Sequence, residues 1–230
     1  MDMLQLREKE IFETLKKIIK CRFVVIGGYS VNAYALPRFS VDCDIAVEDK
    51  NELKKIEKEL VKFGYKKEKS IDNLSYHDKF FRYEKEVQPN FKVSMDIMFS
   101  KILDRQTKAV FDASWIFENS KTMSLKGKTI QNELKLRVIN IDALIVMKMV
   151  SCRITDIRDV FMLMPKAGDN DWIKKEISKR CNFQKRLSKI KDKIESAQFK
   201  DNLQGVYGRI DNDLFERHKK AVLKQNVYKN

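Results

Sequence analysis

The stretch Ile26-Gly27-Gly28-Tyr29-Ser30-Val31-Asn32-Ala33-Tyr34-Ala35-Leu36-Pro37-Arg38-Phe39-Ser40-Val41-Asp42-Cys43-Asp44-Ile45-Ala46-Val47 decides how the chain folds. Residues 22–26 lead into it as a short β-branched and aromatic run, which reads as a buried strand. The run passes straight into Gly27-Gly28, and the pattern predicts a helix from there to about Leu36-Pro37. A strand, a tight glycine turn and a helix N-terminus present backbone N–H groups and a positive dipole end to an anion. Ser30 adds a hydroxyl donor in the first turn. Residues 41–47 then alternate: Val41, Cys43, Ile45 and Val47 point one way, Asp42 and Asp44 the other. Two carboxylates on one strand face beside a phosphate cradle point to a divalent metal that handles a nucleotide.

Each half of this pattern has a plain reading. Glycine pairs make ordinary turns, and Asp-x-Asp can be a solvated strand face. The combination is harder to dismiss, because Asp is a poor strand residue and two of them interrupt an apolar strand. Gly27-Gly28-Tyr29-Ser30 followed by Arg38-Phe39-Ser40-Val41-Asp42-Cys43-Asp44 resembles the signature of the DNA polymerase beta-like nucleotidyltransferase superfamily. Within it the sequence is most similar to the minimal AbiEii/AbiGii toxin-type branch. That resemblance implies an α/β (α+β) fold, a mixed sheet flanked by helices and followed by a C-terminal helical domain. It also implies nucleotide contacts from Gly27, Gly28, Ser30 and Arg38. In the branch a hydroxyl residue often follows the glycines directly, whereas here Tyr29 intervenes before Ser30.

The 230 residues suffice for one large domain or two small ones. With 43% hydrophobic and 35% charged residues the chain is globular rather than disordered. No apolar run approaches about 18 residues, so no membrane span is expected, and the charged first ten residues do not read as a signal peptide. Cys21, Cys43, Cys152 and Cys181 are scattered without a Cys-x-x-Cys pair, which reads as reduced thiols in a cytoplasmic protein. A formal net charge of +14 favours polyanionic partners, nucleic acid first, although solvated Lys-rich helices would give the same balance.

Residues 3–20 carry apolar side chains at helical spacing, and residues 50–63 do the same up to a Gly64 C-cap. Strand, helix, strand, helix at this spacing indicates α/β. Residues 65–78 are polar and irregular, residues 79–84 read as a strand, residues 86–90 as a turn, and residues 91–99 as a stronger strand. There Asp96 shares a face with Ser94 and Met98. In the resembled family a third carboxylate comes from such a later strand, and Asp96 matches it; otherwise it is a lone polar residue on an edge. Residues 103–118 hold a short helix and an apolar patch around Trp115. Short strands follow at 122–125, 129–131 and 134–139, with a turn at Gly127. A nucleotidyltransferase core over residues 1–140 and a helical domain over 141–230 are the expected division.

Residues 141–164 are very apolar but interrupted by Lys148, Arg153, Asp156 and Asp159. Lys148, Ser151, Arg153, Asp156 and Asp159 match a segment of the resembled branch, with Thr155 where Lys would be usual. The resemblance sets Lys148 near the triphosphate and Asp156 near the pocket mouth. A purely structural bridge from Lys148 to Asp156 or Asp159 explains the same residues, since a buried lysine needs a partner. After Pro165 the chain is helical and Lys-rich, with a cationic excess of about eight. His77 and His218 stand apart and are assigned no role.

By this reading Asp42, Asp44 and Asp96 are the catalytic and metal-binding set. In the two-metal scheme Asp42 and Asp44 hold Mg²⁺ against an NTP, and all three hold a second ion about 4 Å away. The product is an NMP joined to an acceptor, with RNA such as a tRNA end first. The resemblance adds a cognate antitoxin as partner. A protein or small-molecule acceptor, a non-catalytic nucleotide- or nucleic-acid-binding module of this fold, and a partner-binding member of a two-protein complex are the alternatives.

Overall fold

Leu15, Ile11 and Ile18 bury one face of α1 (Met3–Ile18), the first element of the chain. The computed structural model describes residues 2–68 and 80–226. The chain divides into two units: Met1–Ala33, Pro37–Leu103 and Val110–Ile139 in the first; Tyr34–Leu36, Asp104–Ala109 and Asn140–Asn230 in the second.

In the first unit, β1 (Val24–Ile26) is buried along its whole length, as its β-branched sequence requires. It runs into α2 (Gly27–Val31), which is one turn rather than the longer helix expected. The reason is Asn32, which is 1% exposed. Its amide donates to the Arg38 carbonyl at 3.0 Å and its oxygen accepts from the Arg38 N–H at 3.1 Å. That clamp ties residues 32 and 38 together, and the chain between them turns instead of continuing helically. β2 (Asp42–Val47) begins one residue later than the alternation suggests; Val41 precedes it and is 66% exposed. α3 (Lys50–Lys62) starts where the Asp49 carboxylate accepts the Asn51 and Glu52 N–H groups, and ends at Gly64 with φ +91°.

β3 (Lys66–Lys67), β4 (Phe80–Gln88) and β5 (Phe91–Phe99) follow. β4 extends past the expected end at residue 84, so the turn shrinks to Pro89-Asn90, with Asn90 at φ +62°. The expected strand start at residue 79 lies outside the described residues. A hairpin of β6 (Lys101–Leu103) and β7 (Val110–Asp112) forms in a region read as helix and apolar patch, ahead of α4 (Ala113–Glu118). β8 (Ser120–Leu125) and β9 (Leu134–Ile139) close the unit.

No strand forms at residues 129–131. There the Glu8 carboxylate, fully buried, accepts the N–H groups of Lys128 (2.6 Å) and Thr129 (2.8 Å) and the Thr129 hydroxyl (2.6 Å). Donors that would have entered a ladder are taken by a side chain 120 residues away in sequence. Seven strands form one mixed sheet in the order β3-β4-β5-β2-β1-β9-β8. β2 pairs parallel with β5 and β1 parallel with β9, while β1–β2, β3–β4, β4–β5 and β8–β9 are antiparallel. Together with its flanking helices this is a mixed α/β core.

In the second unit, α5 (Ile141–Ser151) ends at Cys152, whose φ of +54° breaks the apolar run before α6 (Ile154–Leu163). α7 (Asn170–Ser178), α8 (Phe183–Ile194), α9 (Phe199–Tyr207) and α10 (Asn212–Leu223) complete it. Asp169, Asn182 and Asp211 each cap a helix by accepting a backbone N–H. Phe161, Phe199 and Phe215 pack together, with ring centroids 5.2 Å apart from Phe161 to each of the others. The Phe161 carbonyl lies 3.0 Å from His218 Nδ1, so that ring is a core contact; its pKa is lowered chiefly by burial.

Candidate active site

Asp44 sits at the centre of the sheet, between two neighbours fixed by register. On the antiparallel side it faces Ile26, the last residue of β1, and on the parallel side it faces Asp96 of β5. Registered partners share a sheet face, so Asp44 and Asp96 lie side by side, and Asp42 lies two residues along on the same face. The alternate residues Cys43, Ile45, Met95 and Ile97 are fully buried. Burial first, then the charges of Asp44, Asp42 and Asp96, push the Cys43 thiol well above its ordinary pKa. It is a fully buried core thiol on the sheet face opposite the three carboxylates, inert as buried thiols are.

The glycines are required by this arrangement. Gly27 has φ +66°, and a Cβ there would overlap the Asp44 carboxylate; at Gly28 it would overlap the Ser40 hydroxyl and lie 3.4 Å from Arg38 Nη2. The turn is thus pressed onto Asp44, Ser40 and Arg38 with no side chain between. Ser30 is placed differently from expectation. It is fully buried, and its hydroxyl donates to the Gly27 carbonyl at 2.9 Å, so it braces the turn from within. Arg38 Nη1 donates to the Phe39 carbonyl at 3.0 Å.

The residue that sequence reasoning missed is Arg82 on β4. It stands opposite Asp96 in the β4–β5 pair. Its Nε and Nη2 donate to the two Asp96 carboxylate oxygens at 2.8 and 2.7 Å, and Nη2 is 3.6 Å from Asp42 Oδ2. The Asp96 side chain is only 5% exposed, against 35% for Arg82 and 34% for Asp42. Among the described residues no three His, Cys, Asp or Glu side chains are gathered closely enough to cage a metal. The cation seated on Asp96 and beside Asp42 is the guanidinium.

The second unit brings together Lys148, Asp156 and Asp159. Lys148 Nζ lies 3.0 Å from Asp156 Oδ1 and 2.8 Å from Asp159 Oδ2, and both aspartates are 1% exposed. Arg153 Nε donates to Asp156 Oδ2 at 2.8 Å, and the Tyr207 hydroxyl donates to Asp159 at 3.3 Å. Burial raises the Asp156 pKa, but Lys148 and Arg153 together outweigh it and hold the carboxyl below its ordinary range.

Residues 13–225 match the family described as nucleotidyl transferase AbiEii toxin, type IV TA system. The chain belongs to the AbiEii nucleotidyltransferase toxin family. Membership makes it a nucleotidyltransferase of a toxin type and implies an NTP substrate and an antitoxin partner. Among solved structures it is similar to MenT4, a nucleotidyltransferase toxin from Mycobacterium tuberculosis H37Rv. That match has a TM-score of 0.56 at 11% identity, over 99% of this chain and 85% of that one. The likeness shows a shared fold. A candidate nucleotidyltransferase from Thermotoga maritima gives a TM-score of 0.38 at 19% identity, over 59% of this chain and 80% of that one. Comparison with curated sequences gives no match. No helix among the described residues of this AbiEii-family chain is long and apolar enough to cross a membrane.

Proposed function

We propose that this AbiEii-family chain transfers an NMP from an NTP to RNA, using divalent metal held by Asp42, Asp44 and Asp96. The observation that carries the metal reading is that Asp42, Asp44 and Asp96 share one sheet face with Asp44 against Gly27, although with Arg82 on both oxygens of Asp96 the three carboxylates are not gathered into a cage. The donors are hard carboxylate oxygens, which suit Mg²⁺. Arg82 supports the same fit, since a cation already rests on Asp96 and near Asp42. Asp42, Asp44 and Asp96 would hold the Mg²⁺, which would supply charge neutralisation for the triphosphate and a lowered pKa for the acceptor hydroxyl.

The chain's own groups do the rest. The bare Gly27-Gly28 backbone lets the turn close onto Asp44, Ser40 and Arg38, so that the turn, the carboxylate and the guanidinium stand together where the triphosphate would lie. Arg38, beside Gly28, is placed to orient phosphate oxygens. Asp96 accepts the proton of the acceptor hydroxyl as its oxygen bonds to the α-phosphorus; the bond from that phosphorus to the bridging oxygen breaks, and pyrophosphate leaves. Ser30, turned to the Gly27 carbonyl, holds the turn in shape. Lys148 and Asp156 act within the second unit as a mutually satisfied pair.

RNA is favoured as acceptor by charge. The second unit carries most of the cationic excess, and between α6 and α8 a groove has Ile154 and Ile157 as apolar floor, with Lys185, Lys189 and Lys193 outnumbering Asp192 along it. Ile154 is 64% exposed there. Apolar contact for bases with lysines for phosphates is what single-stranded nucleic acid uses. Incubating the protein with each α-labelled NTP, Mg²⁺ and total RNA or total protein tests the proposal. Label should appear in RNA with stoichiometric pyrophosphate; label in protein alone overturns the RNA acceptor, and no label or pyrophosphate overturns the reaction.

A further inference from the structure

We infer that Arg82 is a built-in counter-cation, which a divalent metal must displace from Asp96 before the site can work. The inference rests on the proposed metal reading of Asp42, Asp44 and Asp96. Three observations carry it. First, the guanidinium fork engages both oxygens of Asp96, at 2.8 and 2.7 Å, in the bidentate geometry in which arginine binds carboxylate most strongly. Second, Asp96 is almost fully buried, so without a partner its charge would be costly to keep. Third, Arg82 is itself one-third exposed and leans toward Asp42, with Glu68 as a further neighbouring charge, so it has a route off the carboxylate.

A structural ion pair and a displaceable one differ in this respect. Both would hold the metal-free fold together. Only the displaceable one occupies ligands that a metal needs, and so weakens the metal's apparent affinity by the competition it offers. The resting protein is then stable without metal and has a raised threshold for metal uptake. Once released from Asp96, the guanidinium is free to meet phosphate oxygens, a partner for which its fork is equally suited.

The test is Mn²⁺ binding, followed by calorimetry and by the electron paramagnetic resonance of free Mn²⁺, on the full chain without nucleotide. Arg82→Met removes the charge and keeps the stem. It should lower the metal-free Tm, bind Mn²⁺ about tenfold or more tightly than wild type, and recover most of the lost Tm when Mn²⁺ is added. Arg82→Lys, which keeps a charge but cannot form the fork, should fall between the two and serves if the Met variant does not fold. A lower Tm with unchanged or weaker Mn²⁺ binding in these variants overturns the displacement, while wild-type Mn²⁺ binding leaves the metal reading standing. No Mn²⁺ uptake by wild type or either variant overturns both.

Discussion

The molecule holds two clusters of the same make-up, a pair of aspartates around one basic side chain, and they are built to opposite ends. In the second unit Lys148 sits between Asp156 and Asp159 with all three side chains at 11% exposure or less. In the first unit Arg82 grips the buried Asp96, but Arg82 and Asp42 are each about one-third exposed. The closed cluster has extra internal partners in Arg153 and Tyr207. In the open one, Asp44, the strand neighbour of Asp96, lies against a glycine turn from which side chains are excluded. Charge pairing alone therefore does not mark a reactive site. Exposure is what separates the two clusters, and the proposed roles, a ligand-changing site in the first unit and a structural bridge in the second, rest on that difference.

The largest expected effect breaks the comparison at the open end. Asp44→Asn should cut nucleotidyl transfer by a factor on the order of a thousand or more, the scale on which removing a key electrostatic group acts, with Tm within a few degrees of wild type. Asp44 is half-buried and its replacement is isosteric, so little packing is lost. Undiminished pyrophosphate release by the variant would remove the strand face from the chemistry.

Next, Lys148→Met should break the closed end. It strips the shared cation from two buried carboxylates, a change that costs about 3–5 kcal/mol in typical buried pairs. Arg153 and Tyr207 remain, so the lower end of that range is expected, read as a shift in urea midpoint. Added Mn²⁺ should not restore it. A variant as stable as wild type but unable to bind NTP would instead support the triphosphate role that the resemblance assigns to Lys148.

Much of this contrast is legible in the sequence, and the gaps have physical causes. Asp42, Asp44 and Asp96 can be set on one face because strand parity is local. Arg82 cannot. A two-residue turn at Pro89-Asn90 pairs Gln88 with Phe91, and simple counting from there puts Arg82 opposite Ile97. An irregularity between Glu86 and Gln88 shifts the register by one and puts Arg82 opposite Asp96. Apolar spacing overextends α2 because the helix's real limit is the Asn32–Arg38 clamp, in which a side chain holds backbone six residues on. The absent strand at 129–131 has the same kind of cause in Glu8. Period and parity reveal elements; single buried polar side chains that end or re-register them leave no periodic trace.

A smaller effect sharpens the difference in surface charge. Lys185 is exposed, whereas Lys189 donates to the Cys152 carbonyl and Arg186 is half-buried. Reversing Lys189 or Arg186 would therefore disturb the turn between α5 and α6 as well as the surface. Lys193 is half-buried as well, so Lys185→Glu alone is the cleaner change. It should weaken labelled tRNA binding and flatten the log–log salt dependence by about 0.7 for each phosphate that is no longer neutralised, with NTP binding unchanged. Undetectable or salt-independent binding by wild type would move the acceptor away from RNA.

The smallest effect is in pH. The Asp156 carboxyl is held below its ordinary range in the folded protein by Lys148 and Arg153, against the opposing effect of burial. A carboxyl with a depressed folded pKa adds stability that is fully present above the unfolded value of about 3.9 and is lost as pH falls through the folded value. Wild-type Tm should therefore show no change from this group between neutrality and about pH 5, then fall in more acid solution as Asp156 takes up a proton. Lys148→Met removes one of the two charges that depress the pKa, while burial continues to raise it, so the acid decline should begin at a higher pH in that variant. Tm profiles of the two proteins from neutrality downward check this. Superimposable acid limbs, displaced only by a constant offset, would show that Lys148 does not set the proton affinity of Asp156 and that the closed cluster is held by packing rather than by its charges.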